Sequence, residues 1–506
     1  MTTFAAVTGT FPKLGVVVVA ILAGAAMLLR APRGRSLAML GALVLAPVLL
    51  LADIWDSPQL RLVHRHPLLA AAGAVAALCV VGALAFLIAR RPGLLMPLVL
   101  VALPFRIPIE AGGATSNLLV PLYLVVAAGS LAVIIPALWN RAGEPPPPLT
   151  GLRAWVPRLL ALYVVVYGIQ SVYSPDFEKA LQQVVFFYVP FALLFGLLSR
   201  LEFSPRMLRT CLYTVIALAL LFAAVGFVEY ATKTLFLNPK LVAANDVHAY
   251  FTVNSVFFDP DIFGRFLAVV MIIAAVPLLY GRDPREQLGA AAILAVLWGA
   301  LVLTLSRSSL GALLVGLGTL AALRWRLTRV VGVALVVVAI GAAAVAVSPK
   351  TFGLNQGANG ASSGRASLIT GGISLFGERP IWGYGSGSFS TEYSRHHPGT
   401  TKTLSASHAI PVTIAAEQGA IGELAYLALI VVSAVVLLAG ARGDPARIAI
   451  GAAFLALVFH TLLYADFLED PMTWTLLGAG TALAFPRRAE ATEPEVISGE
   501  TAPVPA

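Results

Sequence analysis

Four basic side chains stand at the ends of apolar stretches, where their types and spacing could bind an anion and move a proton. Their settings are Asp-Pro-Asp-Ile-Phe-Gly-Arg for Arg265, Thr-Leu-Ser-Arg-Ser-Ser for Arg307, Ser-Ser-Gly-Arg for Arg365 and Ser-Ala-Ser-His-Ala for His408. Guanidinium groups bind phosphate oxygens through bidentate, charge-assisted hydrogen bonds. A neutral imidazole can act as a general base. Together the four predict a diphosphate site in which arginines neutralise a leaving group and the histidine accepts a proton.

Each of these residues also has an interpretation without catalysis. Arg307 could be an interfacial arginine that reaches to water, since an arginine at mid-bilayer costs about 2.5–3.5 kcal/mol. Arg265 could pair with Asp261, four residues earlier on the same predicted helix. Arg365 could be solvated in a loop, and a single histidine such as His408 is more often structural than catalytic. Spacing alone leaves these alternatives open.

The helix predicted after His408 carries a carboxylate inside an apolar stretch. Ser407 is the expected N-cap and Pro411 suits the first turn. The positive end of the helix dipole would favour a neutral imidazole at His408. Glu417 lies about two turns into this helix. A carboxylate within a membrane span is costly and usually functional, and one of the arginines could be its partner. The alternative is a structural polar contact between helices.

Other polar clusters carry weaker patterns. Two sets of carboxylates offer oxygen ligands that a divalent cation could use, with helix capping and solvation as the alternative: Asp53 with Asp56, and Asp466 with Glu469 and Asp470. The stretch Gly-Tyr-Gly-Ser-Gly-Ser-Phe (383–389) looks like a phosphate loop but lacks the Gly-Lys-Ser/Thr ending. It therefore predicts a tight turn with an exposed backbone. No metal site is assigned.

The composition places these residues in a membrane protein. The chain has 506 residues, 59% of them hydrophobic and 12% charged, and its mean hydropathy is +0.88. A soluble domain is typically about half apolar and a quarter charged. The net charge of +9 is spread between apolar stretches, which argues against nucleic-acid binding. Cys79 and Cys211 lie within apolar stretches, so neither a disulfide framework nor a zinc site is expected.

Repeated apolar stretches predict an all-α fold, a polytopic integral membrane bundle of about 12–15 transmembrane helices with one large extracytoplasmic loop. The stretch 93–105 is short, has prolines around it, and is a candidate re-entrant segment. The predicted spans are 14–29, 37–52, 68–89, 93–105, 118–138, 159–173, 181–198, 210–230, 262–280, 288–305, 308–323, 330–347, 411–440, 446–464 and 471–485.

Arginines alternate with the predicted spans in a way that orients the chain. With Arg30–Arg35 in the cytoplasm, every other cytoplasmic connection carries at least two arginines, as the positive-inside rule requires. The same alternation puts the four basic residues on the extracytoplasmic side and the C-terminus in the cytoplasm. Five regions follow: N-terminal helices (1–254), central helices (255–347), the large extracytoplasmic loop (348–410), C-terminal helices (411–486) and a disordered cytoplasmic tail (487–506).

At these motifs the chain resembles the O-antigen ligase and polymerase family, whose members are multispanning proteins with one large periplasmic loop near the C-terminal side. The resemblance is clear over roughly residues 255–440, and the N-terminal half matches only as hydrophobic spans. The matching stretches are residues 259–266, 304–309, 363–365, 378–389 and 407–422.

The resemblance implies a glycosyltransferase that moves a glycan from undecaprenyl diphosphate to an acceptor hydroxyl, with inversion at the anomeric carbon. It implies no metal and no other cofactor. Arg307 and Arg365, with Arg265, would hold the diphosphate, His408 would deprotonate or orient the acceptor hydroxyl, and Glu417 would support the site. The implied partners are the lipid-linked donor, a glycan or lipid acceptor, and the lipids of the plasma (inner) membrane. The implied pathway is cell-envelope polysaccharide synthesis, such as that of lipopolysaccharide.

Three kinds of function stay open at this point. A ligase and a polysaccharide polymerase share the donor and differ in the acceptor. A metal-dependent lipid-linked glycosyltransferase could be built around Asp53 and Asp56. A membrane transporter is the third possibility, against which the scarcity of charges within the spans and the long outer loop argue.

Overall fold

A computed structural model describes most of the chain. The described residues are 9–55, 64–105, 107–111, 114–140, 148–236, 250–325, 365–398, 407–464 and 467–484, together with isolated residues in 242–245 and 328–347. Most of the predicted span 330–347 and two parts of the large loop, 348–364 and 399–406, therefore lie outside the described residues. The same holds for Asp56, Asp466 and the predicted cytoplasmic tail.

The described chain is almost entirely helical. Its α-helices are α1 (Thr10–Leu28), α2 (Pro32–Ile54), α3 (Pro67–Arg90), α4 (Leu95–Ala102), α5 (Val120–Leu138), α6 (Trp155–Ser171), α7 (Phe177–Gln183), α8 (Val189–Leu198), α9 (Pro205–Thr232), α10 (Pro260–Tyr280), α11 (Pro284–Leu303), α12 (Arg307–Arg324), α13 (Arg365–Glu378), α14 (Phe389–His396), α15 (Ile410–Leu438), α16 (Pro445–Thr461) and α17 (Pro471–Leu483). A π-helical turn (Val184–Tyr188) joins α7 to α8, and 3₁₀ turns (Pro92–Leu94 and Gly151–Ala154) precede α4 and α6. Within the described residues, the one sheet is an antiparallel hairpin of β1 (Ile107–Ala111) and β2 (Ala114–Leu118), in which Ile107 pairs with Leu118.

The predicted fold class is confirmed. Ten helices of the described chain are long and apolar enough to cross a membrane, and two further apolar helices, Pro92–Ala102 and Pro445–Thr461, are shorter. A full span at 93–105 is wrong, because α4 has only eight residues and ends before the hairpin. Eight helical residues rise about 12 Å, which is well short of a hydrocarbon core of about 30 Å.

Helix α10 lies at the centre of the bundle, and small residues let its neighbours approach closely. It packs against α9, α11, α12 and α16. A Cβ atom on Gly264 of α10 would lie 2.7 Å from the Ser309 hydroxyl of α12, and one on Gly316 of α12 would lie 2.1 Å from Ile272 of α10. Small side chains at such contacts are how membrane helices gain packing without a hydrophobic driving force between them.

Helix α15 is broken at Gly419, and an earlier loop fills the break. Gly419 has φ 64° and ψ −163°. Around it the backbone of 380–385 pairs with that of 416–420: Gly385 N donates to Glu417 O at 2.7 Å, and Ala420 N donates to Pro380 O at 2.7 Å. These bonds satisfy the backbone N–H and C=O groups that the break leaves without partners in the helix.

The glycine-rich turn 383–389 is thus tight, as predicted, with positive φ at Gly383, Gly385 and Gly387. The predicted exposure of its backbone is wrong, because every residue from Gly383 to Phe389 is buried. The turn inserts into the break of α15, and only the tertiary structure reveals that partner.

Replacing Gly419 by Ala tests the break. The new Cβ would lie 2.3 Å from the Ile381 carbonyl oxygen, and the positive φ disfavours a side chain at about 1–3 kcal/mol. We expect a clear drop in the thermal unfolding midpoint of the protein in detergent. The matched control is Gly318→Ala on α12, where a Cβ meets nothing within 4 Å and alanine favours the helix by up to about 1 kcal/mol. Equal midpoints for the two variants would contradict this account of the break.

Candidate functional site

The N-terminal ends of several helices gather at one edge of the bundle. Asp261, at the start of α10, bonds to Ser306, which precedes α12. Arg265, one turn into α10, pairs with Asp470, which precedes α17. Because the first turn of a helix carries a partial positive charge and exposed N–H groups, such a gathering favours an anionic ligand.

Two further helix starts join the same edge. The ring of His408, just before α15, lies 6.2 Å from that of Tyr464, and the Tyr464 ring lies 5.6 Å from that of His460 near the end of α16. Arg365, the first residue of α13, lies within electrostatic range of the His460 ring. The structure therefore brings Arg265, Arg365 and His408 into one region.

Arg265 is buried in an ion pair with Asp470. Its Nε lies 3.1 Å from Asp470 Oδ2, and both side chains are almost fully buried. Asp470 also caps α17 by accepting from Met472 N at 3.0 Å. The local pair between Arg265 and Asp261, considered from the sequence, is therefore wrong. The Asp261 carboxylate is held by serine hydroxyls instead.

Arg307 and Arg365 are placed differently from Arg265. Arg307 is exposed at the first position of α12, directly after Ser306, which caps that helix by accepting from Ser309 N at 3.2 Å. Arg365 is half-buried. Neither arginine forms an ion pair with a carboxylate in the described part of the chain, although both stand at helix N-termini. Unlike Arg265, these two arginines therefore have no described carboxylate that balances their charge.

His408 lies in a strained turn at the start of α15. Its φ is 58°, a left-handed value that is uncommon for a residue other than glycine. In this turn Ala409 N donates to the Ser407 hydroxyl oxygen at 3.2 Å, and Ser407 N donates to Thr413 Oγ1 at 3.0 Å. The predicted N-cap at Ser407 is consequently wrong, since the helix begins at Ile410 with Ala409 as its N-cap. The half-buried imidazole of His408 is presented beside Tyr464.

Glu417 is buried and serves the glycine-rich turn. Its carboxylate accepts from Gly387 N at 2.8 Å and from Phe389 N at 3.0 Å. The arginine partner considered from the sequence is wrong, because the turn inserted in the break of α15 supplies two backbone N–H donors. Glu417 therefore fixes the loop whose far end leads into α14.

Two of the carboxylates weighed as metal ligands have other partners. Glu469 accepts from the amide of Gln183, and Asp470 caps α17. Asp53 lies half-buried near the end of α2. Within the described ranges, no three His, Cys, Asp or Glu side chains are grouped so that they could hold a metal ion.

Sequence reasoning missed His460 and Tyr464. His460 is fully buried near the end of α16, with Nε2 at 3.2 Å from the hydroxyls of both Ser308 and Ser309. A signal was available, because an ionisable residue within an apolar stretch is costly. The same rule singled out Glu417 and would have singled out His460.

A comparison with protein families finds one match. The family model described as O-antigen ligase matches residues 290–427, a segment that includes Arg307, Arg365, His408 and Glu417. Arg265, His460, Tyr464 and Asp470 lie outside the matched segment. The match supports the assignment of the chain to the O-antigen ligase and polymerase family. The chain matches no curated protein.

The Arg265–Asp470 pair predicts a large effect from removing one partner. Asp470→Ala leaves a buried guanidinium without its carboxylate, which typically costs about 3–5 kcal/mol of the free energy of unfolding. Asp283→Ala is the matched control, since Asp283 also precedes a proline and caps α11, but is exposed. Loss of the Asp283 cap alone should lower the free energy of unfolding by about 0.5–2 kcal/mol.

Chemical unfolding in detergent compares the two variants with Arg265→Met/Asp470→Leu. We expect the double variant to recover much of the stability lost in Asp470→Ala, because it buries no charge. Equal losses for Asp470→Ala and Asp283→Ala would show that the pair adds nothing beyond the cap.

Proposed function

We propose that this protein is a membrane glycosyltransferase of the O-antigen ligase type. It transfers a glycan from undecaprenyl diphosphate to a hydroxyl of an acceptor. The observation that carries the proposal is the position of Arg307 and Arg365. Both stand at helix N-termini, without an ion pair to a described carboxylate, in a region that also holds His408 and that belongs to the segment matching the O-antigen ligase family.

On the donor side, the two arginines bind the diphosphate. Negative charge develops on the oxygen that leaves the sugar's C1, and Arg307 and Arg365 meet that charge with bidentate hydrogen bonds. Arg265 supports the same region as a buried residue whose charge Asp470 balances and whose guanidinium Asp470 holds in place. Arg307 and Arg365 supply the positive charge that a divalent metal provides in other diphosphate sites, so the proposed reaction needs no metal.

On the acceptor side, His408 acts as the base. Its imidazole takes the proton of the acceptor hydroxyl as the hydroxyl oxygen attacks C1 from the face opposite the diphosphate. The bond from C1 to the diphosphate oxygen breaks as the new glycosidic bond forms, so the configuration at C1 inverts. The products are the glycosylated acceptor and undecaprenyl diphosphate.

The gathered helix ends belong on the extracytoplasmic face of the plasma (inner) membrane in this proposal. Helices α10, α12, α15 and α17 begin at that edge, and α16 ends there. The connections at their other ends carry paired arginines, Arg282 with Arg285 and Arg442 with Arg447. The positive-inside rule assigns such connections to the cytoplasm. The C-terminus, which follows α17, is then cytoplasmic.

The first prediction from this proposal concerns the donor. In a transfer assay with purified protein, an undecaprenyl-diphosphate glycan and EDTA, we expect Arg307→Ala and Arg365→Ala each to lower the rate about 100-fold or more. Binding of undecaprenyl diphosphate should weaken in the same variants. Arg395→Ala is the matched control, an exposed arginine on α14 that pairs with Glu392 and should keep the wild-type rate.

Two outcomes would overturn this assignment. Arg307→Ala and Arg365→Ala enzymes that transfer at the wild-type rate would remove the arginines from the site. Transfer that requires an added divalent cation would favour the carboxylates at Asp53 and Asp56.

The second prediction separates acceptor chemistry from donor binding. We expect His408→Ala to lower kcat about 100- to 10,000-fold, the usual range for a lost general base, while undecaprenyl diphosphate binds with unchanged affinity. A parallel loss of affinity would instead assign His408 to the diphosphate. The same assay distinguishes ligase from polymerase: a single transfer to a separate acceptor indicates a ligase, and lengthening of the lipid-linked glycan indicates a polymerase.

A further inference from the structure

A cluster of hydroxyl groups lies buried beneath Arg307. Ser308 Oγ donates to Asp261 Oδ1 at 2.9 Å, and Ser309 Oγ donates to the Asp261 carbonyl oxygen at 3.3 Å. Ser306 Oγ also bonds to Asp261 Oδ1. His460 Nε2 lies 3.2 Å from the hydroxyl oxygens of both Ser308 and Ser309. The cluster joins α10, the first turn of α12 and the end of α16.

The hydroxyl contacts of this cluster favour a hydrogen on Nε2 of His460. The Asp261 carboxylate and carbonyl can only accept, and the hydroxyls of Ser308 and Ser309 both reach Asp261 as donors. With those protons directed at Asp261, the two serine oxygens accept from His460, and Ser306 Oγ, which lies 2.7 Å from Ser309 Oγ, completes the cluster. In this arrangement donation runs from His460, through the serines, to Asp261.

We infer that His460 is a positioning residue for the diphosphate site, an inference that rests on the proposed function. It acts in two linked ways. Its N–H fixes Ser308 and Ser309, which follow Arg307 directly and form the first turn of α12. It also keeps those hydroxyls directed at Asp261, so that the Asp261 carboxylate is satisfied by serines rather than by a guanidinium.

The second effect matters because Asp261 is a potential competitor of the substrate. It lies one helical turn before Arg265 and close to the residues that flank Arg307. If its hydroxyl donors were lost, the carboxylate would seek a positive partner, as a partly buried charge does. An arginine engaged by Asp261 would be withdrawn from the diphosphate.

His460 cannot itself touch the substrate, because its side chain is fully buried. Tyr464 lies between it and His408, with ring centroids 5.6 Å and 6.2 Å away. The histidine therefore acts only through its neighbours, and its loss should change donor affinity more than the chemical step.

The test compares His460→Leu with His460→Gln in the full-length protein in detergent, with undecaprenyl diphosphate as the binding probe. Leucine removes the donor, and we expect the dissociation constant and the KM for the glycan donor to rise about tenfold, as for one ordinary lost hydrogen bond. Glutamine places an N–H at a similar reach and should stay within about threefold of wild type. Thr461→Val is the matched control, because Thr461 is buried next to His460 and its hydroxyl donates to Val458 O rather than to the serine cluster.

A second substitution separates positioning from general damage to the fold. In His460→Leu/Asp261→Asn, the amide cannot capture an arginine, so donor affinity should return to within about threefold of wild type. A merely structural role for His460 would lower the folded fraction and kcat, leave KM unchanged, and gain nothing from Asp261→Asn.

Each result counts for or against a separate claim. Wild-type protein that neither binds undecaprenyl diphosphate nor transfers a glycan would overturn the proposed function itself. Active wild type with an unchanged donor KM in His460→Leu, or with no recovery on adding Asp261→Asn, would overturn the inference about His460 alone.

Discussion

The buried ion pair between Arg265 and Asp470 connects parts of the chain that the sequence separates widely. Asp470 lies just before α17, and its neighbour Glu469 accepts from Gln183 of α7, whose own amide oxygen accepts from Tyr167 of α6. The segment before α17 thus ties the central helix α10 to the N-terminal helices. A buried ion pair offsets the cost of desolvating its charges only when its geometry is good. This pair therefore constrains the start of α10 relative to α17.

The chemistry of the site depends on which charges are already paired. Asp261 is engaged by serine hydroxyls, Asp470 by Arg265, and Glu417 by two backbone N–H groups. Because these carboxylates are satisfied elsewhere, the positive charges of Arg307 and Arg365 are not cancelled from within the described protein. The proposed diphosphate site needs this separation, since a carboxylate beside either arginine would compete with the ligand.

The fold class, most of the described spans and the side of the bundle shared by the basic residues could be predicted from local patterns. Apolar stretches of about 20 residues and the spacing of arginines depend on the lipid environment, which acts on each helix separately. The failures have a common origin. The Ser407 cap, the exposed glycine-rich turn and the arginine partner of Glu417 were all inferred from neighbours in sequence. In the structure a left-handed residue or an inserted loop provides other partners.

The sequence by itself determined that this chain is a helical membrane protein and which residue types could handle a diphosphate, because hydropathy and side-chain chemistry are properties of single residues and short windows. Only the tertiary structure decided which of those residues are engaged and which are available. It paired Arg265 with Asp470, left Arg307 and Arg365 without a described carboxylate partner, and brought His460 against Ser308 and Ser309. Such pairings join helices that are distant in sequence. Because a buried polar group without a partner is costly, the identity of each partner affects the stability of the fold.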